Sequence, residues 1–576
     1  MRRASKKIPV APWRFYSLLG FLLILLVLLV GRVLSLQVLD TDRGHEFLQG
    51  QGEMRAVRTT EIPAYRGMIS DRHGEPLAVS TPVVSIWANP ALLKSSGRLP
   101  ELAAALGISL VDLKDKLDRF GKKQFMYLQR HQVPVVARKI LEMRIAGVYG
   151  EREYQRYYPA GEVAAHVVGF TNLDDKGITG LELAYEDWLR GEPGKKKIIK
   201  DLHGDVVRDI GVLRAASSGN DLVLSIDLRL QYLQHSELQR AMTITGAESG
   251  TIVTLDSRTG EILAMVNSPV YNPNNRSGVK ASSMRNRAVT DVYEPGSTMK
   301  PLTVAAALET GQFNTQSIID TSPGRIRVGR KTLPDPRNYG EISVSRVVEK
   351  SSQVGITKIA LAIGHEPIWN MFNRFGMGQP PGIGFPGESS GILPTRSKWH
   401  EIEKVTLAFG YGLTASPLQL AHAYTVFANS GVQPQLSLLA LQGETPEGRA
   451  VLAPEIAQKM LQILHRVTGE HGTAKKARVP GYQVGGKTGT VHKVGPGGYV
   501  DDQYVALFAG VAPIENPRIV TVVILNQPQG DSYGGGSAAA PVFSRVTAGA
   551  LRLLNVAPSE PESVIALGAA RRGGEV

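Results

Sequence analysis

Hydrophobic positions along the chain fall into two regimes. From Phe15 to Leu36 apolar side chains follow one another almost without a break, with Arg32 the single charge. Beyond residue 40 they recur with the periods of strands and helices. The first stretch has 22 residues. As a helix it is about 33 Å long at 1.5 Å per residue, which spans a hydrocarbon core of about 30 Å. Arg2, Arg3, Lys6, Lys7 and Arg14 precede it, while Asp40, Asp42, Glu46 and Glu53 against Arg43 follow. That asymmetry predicts a cytoplasmic tail at 1–14, a membrane anchor at 15–39 and everything later outside. A cleaved signal peptide is the alternative reading, but the stretch is long for one and no Ala-x-Ala site follows.

The periodic remainder divides near residue 220. Residues 40–220 mix strand-like and short helical pieces. Arg66 to Ala78 reads as a strand broken by an Asp71-Arg-His-Gly74 turn. Glu151 to Asn172 carries a Tyr/Arg-rich strand into a Pro159-Ala-Gly161 turn, with a helix expected from about Glu162. The run Lys195-Lys-Lys197 after a Gly/Pro turn reads as a solvated face. Ala215 to Asp221 is rich in turn formers and reads as a linker. After it come an apolar strand at 222–226, an amphipathic helix at 228–244, and two strands, 250–255 and 261–266, joined by Ser257-Arg-Thr-Gly260. A helical stretch follows to about 470, and strands return at 504–511 and 518–525. Strands at both ends with helices between them predict an α+β domain over 221–557 whose sheet closes late. A flexible tail is expected at 558–576.

Composition narrows the chemistry. Lysine and arginine number 65 against 52 acids, a net charge of +13. That suits an anionic polymer, nucleic acid or an anionic membrane surface, without choosing among them. Cysteine is absent, which excludes disulfide scaffolds, thiolate metal sites and cysteine nucleophiles. The 12 histidines form no His-Glu-x-x-His pair, so metal catalysis has no support.

Two short motifs carry candidate chemistry. In Glu294-Pro-Gly-Ser297-Thr-Met-Lys300 a turn precedes a serine and an apolar helix follows. A serine needs an adjacent base to become a nucleophile. Lys300, three residues on, falls on the same helix face, and burial would lower its pKa until it could accept the proton. The helix start would also favour a developing oxyanion. Ser277-Gly-Val-Lys280 repeats the spacing but follows a polar stretch and opens no apolar helix, so it reads as loop. The second motif is Gly485-Gly-Lys487-Thr488-Gly489-Thr490. Strand alternation puts Lys487 and Gly489 on one face and Thr488 and Thr490 on the other. Gly481 to Thr488 also spells a phosphate loop, but the required strand before it and helix after it are missing.

Ser-x-x-Lys, Ser-x-Asn and Lys-[Ser/Thr]-Gly in that order form the triplet of penicillin-binding proteins and serine β-lactamases. Here Ser297 and Lys300, Ser351, and Lys487 stand in that order. Arg66-Gly-Met-Ile-Ser-Asp-Arg72, Arg156-Tyr-Tyr-Pro-Ala-Gly161, Ala165-His-Val-Val-Gly-Phe170 and Gly180-Leu-Glu182 resemble the amino-terminal module of class B penicillin-binding proteins. Gly410 to Ala421, and Tyr533-Gly-Gly-Gly536 with Ala540-Pro-Val-Phe543, resemble the division branch rather than the elongation branch. The sequence departs from the triplet at one place, reading Ser351-Ser352-Gln353 where the family has Ser-x-Asn.

The resemblance implies a pedestal module at 40–220 and a transpeptidase domain at 221–557 of antiparallel sheet between helical layers. It implies D,D-transpeptidation during septal wall synthesis, inhibited by β-lactams, with no cofactor and no metal. Ser297 would attack the penultimate D-Ala carbonyl of a peptidoglycan stem peptide and Lys300 would act as base. Ser351, supported by Lys487, would relay a proton to the leaving group, and the backbone N–H groups of Ser297 and Thr490 would hold the oxyanion. Gln353, Thr488, Gly489 and Thr490 would line the substrate site. Stem-peptide donor and amine acceptor, the inner membrane, a SEDS-type glycosyltransferase (FtsW) and divisome proteins would be the partners, and nucleic acid would not. Three alternatives stand beside this reading: a β-lactamase or carboxypeptidase that resolves the acyl-enzyme with water, a β-lactam sensor or division scaffold with a weakened site, and an elongation-type enzyme. Glu366-Pro-Ile-Trp-Asn370 imitates a β-lactamase motif but lies too close to Ser351 and reads as the first turn of an amphipathic helix.

Overall fold

The structure is a computed structural model. It describes residues 11–37, 57–200, 206–443, 446–495, 497–530 and 532–559. The expected acidic flank at 40–54, residues 1–10 of the expected cytoplasmic tail and all but the first two residues of the expected flexible tail lie outside the described residues. The apolar stretch forms one helix, Pro12–Gln37, with no acid in its first turn and its aliphatic side chains exposed rather than packed on protein. Its length and composition suit a membrane crossing.

The chain falls into two compact units. The smaller comprises residues up to Tyr65, Pro82–Tyr154 and Gly191–Ser218; the larger comprises Arg66–Thr81, Gln155–Arg190 and Gly219 onward. In the smaller unit, helices Leu99–Leu106, Leu110–Phe120 and Pro134–Glu142 surround a core that includes Ile86, Leu93, Leu102, Leu113, Met126 and Ile140. Ser109 starts the middle helix by accepting the Asp112 N–H at 3.0 Å, ordinary N-cap chemistry. A separate three-stranded antiparallel sheet pairs Gly194–Lys200 between Val57–Ile62 and Val206–Arg214. Lys195 to Lys197 lie on its central strand, with Lys195 and Lys197 exposed, so the run is a strand face in water.

In the larger unit three of the stretches named above meet in a buried ion network. Arg66 pairs with Glu182 at 2.7 Å and with Glu186 at 2.7 Å, and Arg156 reaches the other Glu182 oxygen at 2.6 Å. Arg66 and Glu182 are 1% and 0% exposed. The turn at Asp71–Gly74 separates strands Ile69–Ser70 and Pro76–Ala88 as expected. The Tyr/Arg-rich strand is Val148–Tyr157. The helix expected from Glu162 is shorter than its pattern suggests, a single 3₁₀ turn at Gly161–Val163 followed by Ala165–Val168.

The larger unit is built on a five-stranded antiparallel sheet in the order Ile262–Ser268, Ser249–Asp256, Ile519–Asn526, Gly498–Ala512, Gly485–Gly495. The early hairpin thus pairs with the last strand, Ser249 opposite Asn526. Every residue of Ser249–Asp256 and Ile519–Asn526 is buried, so both sheet faces are covered. Helices Leu228–Thr245 and Ala540–Leu553 cover one side, and Pro417–Ala428 leads the helices on the other. Asp227 caps the first of these through the Arg229 N–H at 3.0 Å, and Gly246 ends it in the left-handed region. Glu366 lies in the first turn of His365–Arg374, which buries Ile368, Met371 and Phe372, as read from the sequence.

Candidate active site

Ser297 sits on a 3₁₀ turn, Gly296–Met299, that runs directly into the helix Lys300–Glu309. The sequence reading placed it on the α-helix itself. The tighter turn preserves the relation to Lys300, because residues i and i+3 eclipse in 3₁₀ geometry. Backbone packing fixes the turn. A Cβ on Gly410 would lie 2.2 Å from the Gly296 carbonyl oxygen, so only glycine fits there. Tyr424 donates to Thr298 O at 2.8 Å from the buried helix Pro417–Ala428. The Ser297 side chain is half-buried, and its hydroxyl has no hydrogen-bond partner among the described residues.

Lys300, Ser351 and Lys487 come together although three separate stretches of chain supply them. Lys300 Nζ donates to Ser351 O at 2.7 Å and to Ser351 Oγ at 3.2 Å. Lys487 Nζ approaches the same hydroxyl at 3.0 Å and also donates to Thr488 O at 3.0 Å. The two lysines are 1% and 0% exposed. Loss of hydration pulls the Lys300 ammonium down to about 7, against the opposing charge of Asp335. Burial, followed by the Lys300 charge, holds Lys487 well below the usual lysine range. A lysine that titrates near neutrality can take a proton from a serine one turn away.

Ser351 closes the helix Val344–Lys350 at φ +57°, a left-handed conformation that is costly for a residue with a Cβ. Asp335 stabilises the next three residues. Its Oδ2 accepts from Ser352 Oγ at 2.5 Å, and its Oδ1 accepts from the backbone N–H groups of Gln353 and, at 3.2 Å, Val354. This buried carboxylate escaped the sequence reading, because no motif or period marks it. We expect Asp335→Ala to leave these donors unpaired, at about 1–3 kcal/mol each. A shift of Ser351 by about 1 Å would slow acylation roughly 100-fold. Thermal unfolding and the rate of labelling by a fluorescent penicillin check both effects.

The strand Gly485–Gly495 forms the edge of the sheet on the Ser297 side. It is followed by a further strand and not a helix, so the phosphate-loop reading has no structural context. Gly489 backs onto the nucleophile turn, where a Cβ would meet Pro295 O at 3.1 Å. Thr490 accepts the Gly535 N–H at 2.9 Å, which leaves its hydroxyl proton free for a ligand. Thr488 lies 3.3 Å from the hydroxyl of Thr473, a second residue the sequence did not reveal. The Gln353 side chain has no hydrogen-bond partner among the described residues, Lys300 included. Ser277 lies outside helix and strand, in the loop expected of it.

Residues 250–548 match the penicillin binding protein transpeptidase domain family, and residues 61–224 match the penicillin-binding protein dimerisation domain family. The peptidoglycan D,D-transpeptidase FtsI of Escherichia coli K12 is 42% identical over 552 residues, covering 95% of this chain and 92% of the relative. The chain belongs to the class B penicillin-binding proteins. The probable peptidoglycan D,D-transpeptidase PenA of Neisseria gonorrhoeae is 38% identical, over 94% of this chain and 93% of its own. Among solved structures, penicillin binding protein 3 of Mycobacterium tuberculosis, complexed with aztreonam, matches with a TM-score of 0.68 at 29% identity, over 87% of this chain and 99% of its own. A peptidoglycan synthetase from Bifidobacterium adolescentis gives a TM-score of 0.70 at 26% identity, over 88% and 98%.

Proposed function

We propose that this class B penicillin-binding protein is a serine D,D-transpeptidase that cross-links peptidoglycan stem peptides during septal wall synthesis. One observation carries the reading: two buried lysines share the Ser351 hydroxyl, and one of them is the residue three after Ser297. Lys300 takes the Ser297 proton as Oγ attacks the penultimate D-Ala carbonyl. The backbone N–H groups of Ser297 and Thr490 hold the oxyanion. Ser351, fed by Lys487, protonates the departing D-Ala, whose carboxylate is held by Thr488 and Thr490 beside Gly489. An amine of a second stem then resolves the ester. Intact-protein mass spectrometry after mixing with a β-lactam tests this. A slowly released adduct on Ser297 supports it; rapid hydrolysis of the drug without an adduct points to a β-lactamase.

Gln353 bears on the ligand side chain. Its amide reaches about 1.5 Å farther than the family asparagine, and a misplacement near 1 Å can change a rate roughly 100-fold. We expect Gln353→Asn to reorder acylation among a penicillin, a cephalosporin and a monobactam without abolishing it. Unchanged second-order rates for all three would show that residue 353 does not touch the ligand.

The anchor places the amino terminus in the cytoplasm and both folded units in the periplasm, on the inner membrane of a bacterial envelope. The flanking charges support this through the positive-inside rule. The absence of native cysteine makes it testable without background. In intact cells a maleimide that crosses only the outer membrane should label Lys476→Cys and leave Ser5→Cys untouched. Division-type ancestry extends the proposal to a SEDS-type glycosyltransferase, FtsW, and divisome proteins as partners, which co-purification of the full chain from membranes would test.

A further inference from the structure

Arg325-Ile-Arg-Val-Gly-Arg-Lys331 carries four cations and no acid in seven residues. It forms most of a two-stranded hairpin of the larger unit, Arg325–Val328 paired antiparallel with Lys331–Pro334 across a turn at Gly329 and Arg330. Alternation decides which side chains face water. Val328 is 3% exposed and joins the core of the larger unit, with Leu333 packed against it. Arg325 and Arg327 are exposed, as are Arg330 at the turn and Lys331. None of the four has an ion-pair partner among the described residues, and Arg327 donates only to Gly329 O, at 3.2 Å, inside the hairpin.

An exposed charge run is ordinarily a solvated face, but this one is built onto the active site. The hairpin packs against the helix Gln353–Ile363, whose first residue closes the Ser351-Ser352-Gln353 stretch. Its base is tied where Asp335 N donates to Gly324 O at 2.8 Å. The carboxylate of that same Asp335 holds Ser352 Oγ and the Gln353 N–H. The cations thus begin at the support of the Ser351 turn and, at about 3.4 Å per residue, run roughly 10 Å away from it. Neighbouring like charges are unfavourable in the free protein, and an anionic partner relieves them.

We propose that this hairpin is a docking surface for the peptidoglycan strand, holding carboxylates of stem peptides along the polymer while Ser297 acts on one stem end. The proposal rests on the transpeptidase reading above. Stem peptides carry free carboxylates besides the terminal one, so the polymer that comes to Ser297 is a polyanion. Three of the four cations are arginines, whose planar fork matches a carboxylate. All four are exposed, which leaves no enclosed pocket for a small anion, and their spread along the hairpin suits charges repeated along a chain. Each contact is weak and screened by salt. Together they raise the concentration of polymer beside the site.

The test sediments the detergent-solubilised full chain with purified peptidoglycan sacculi, stripped of protein and of other anionic polymers. One variant combines Arg325→Gln, Arg327→Gln, Arg330→Gln and Lys331→Gln. At low salt its affinity should fall about tenfold, as the loss of four exposed ion pairs allows. A control combines Lys114→Gln, Lys122→Gln, Arg138→Gln and Lys139→Gln, exposed cations of the smaller unit. It removes the same charge and should bind as the parent does. Converting the carboxylates of the sacculi to amides should erase the difference between parent and hairpin variant. Labelling of Ser297 by a fluorescent penicillin shows that each variant is folded. Parent-like binding by the labelled hairpin variant overturns the proposal, as does an equal loss in the control. Absence of label on the parent defeats the transpeptidase reading and this proposal with it, a result told apart from a failed grip by the labelling itself.

Discussion

Ser297→Ala should form no covalent adduct with any β-lactam while unfolding at nearly the parent temperature. The two halves have separate causes. The hydroxyl is the proposed nucleophile, and alanine offers no atom that can bond to the acyl carbon. It also holds nothing else together: it caps no helix end and has no hydrogen-bond partner among the described residues. Its removal therefore orphans no buried group, and a change within about 0.5 kcal/mol is expected, as for surface substitutions. Intact-protein mass spectrometry and a thermal scan on one preparation decide it. An adduct on the alanine variant would reassign the nucleophile, with Ser277 the next serine to replace.

Lys300→Met should cut the acylation rate by roughly 100- to 10,000-fold, the usual worth of a general base. Methionine fills about the same space, but it leaves the Ser351 carbonyl without its Lys300 donor, at a cost of about 1–3 kcal/mol. Ser351 Oγ keeps its contact with Lys487. A thermal scan of the variant separates that stability loss from the rate effect. The pH profile gives the sharper test. An amine titrating at about 7 is a base only when unprotonated. The parent rate should therefore fall about tenfold for each pH unit below that point and level off above it. The residual rate of the variant should lack that inflection. If Lys300→Met keeps the same inflection, the titrating base lies elsewhere.

The elements that sequence patterning located share a property: their signal is local. The apolar run at 15–36 became Pro12–Gln37, the pattern at 228–244 became Leu228–Thr245, and the strand pair at 250–266 became Ser249–Asp256 and Ile262–Ser268. Ser297, Lys300, Ser351 and Lys487 were legible because the family resemblance preserves their spacing. Asp335 and Thr473 were not. Each matters through a contact made only after distant stretches pack, Asp335 with the turn after Ser351 and Thr473 with Thr488. The 3₁₀ geometry at Ser297 was also hidden, since it follows from the close approach of Gly296 and Gly410, which are far apart in the chain. Arg66, Arg156 and Glu182 could be singled out in the sequence, but their joint burial as one ion network could not.

Lys487 to Thr490 lie on the last strand of the sheet, with the outer edge turned toward Ser297. A peptide laid there can pair with main-chain groups, as a sixth strand would. Recognition of that kind is anonymous: every amino acid except proline presents the same N–H and C=O. Point substitution along the strand can trim specificity at its side chains but cannot erase the edge itself. Beyond the side chains that touch a ligand, only a shift of the strand itself would alter that pairing, and Gly489 on the strand and Gly535 behind it resist one. Those two positions sit on backbone, and a Cβ on Gly535 would lie 2.4 Å from the Gly489 carbonyl oxygen. Moving the strand would displace the natural peptide together with the drug.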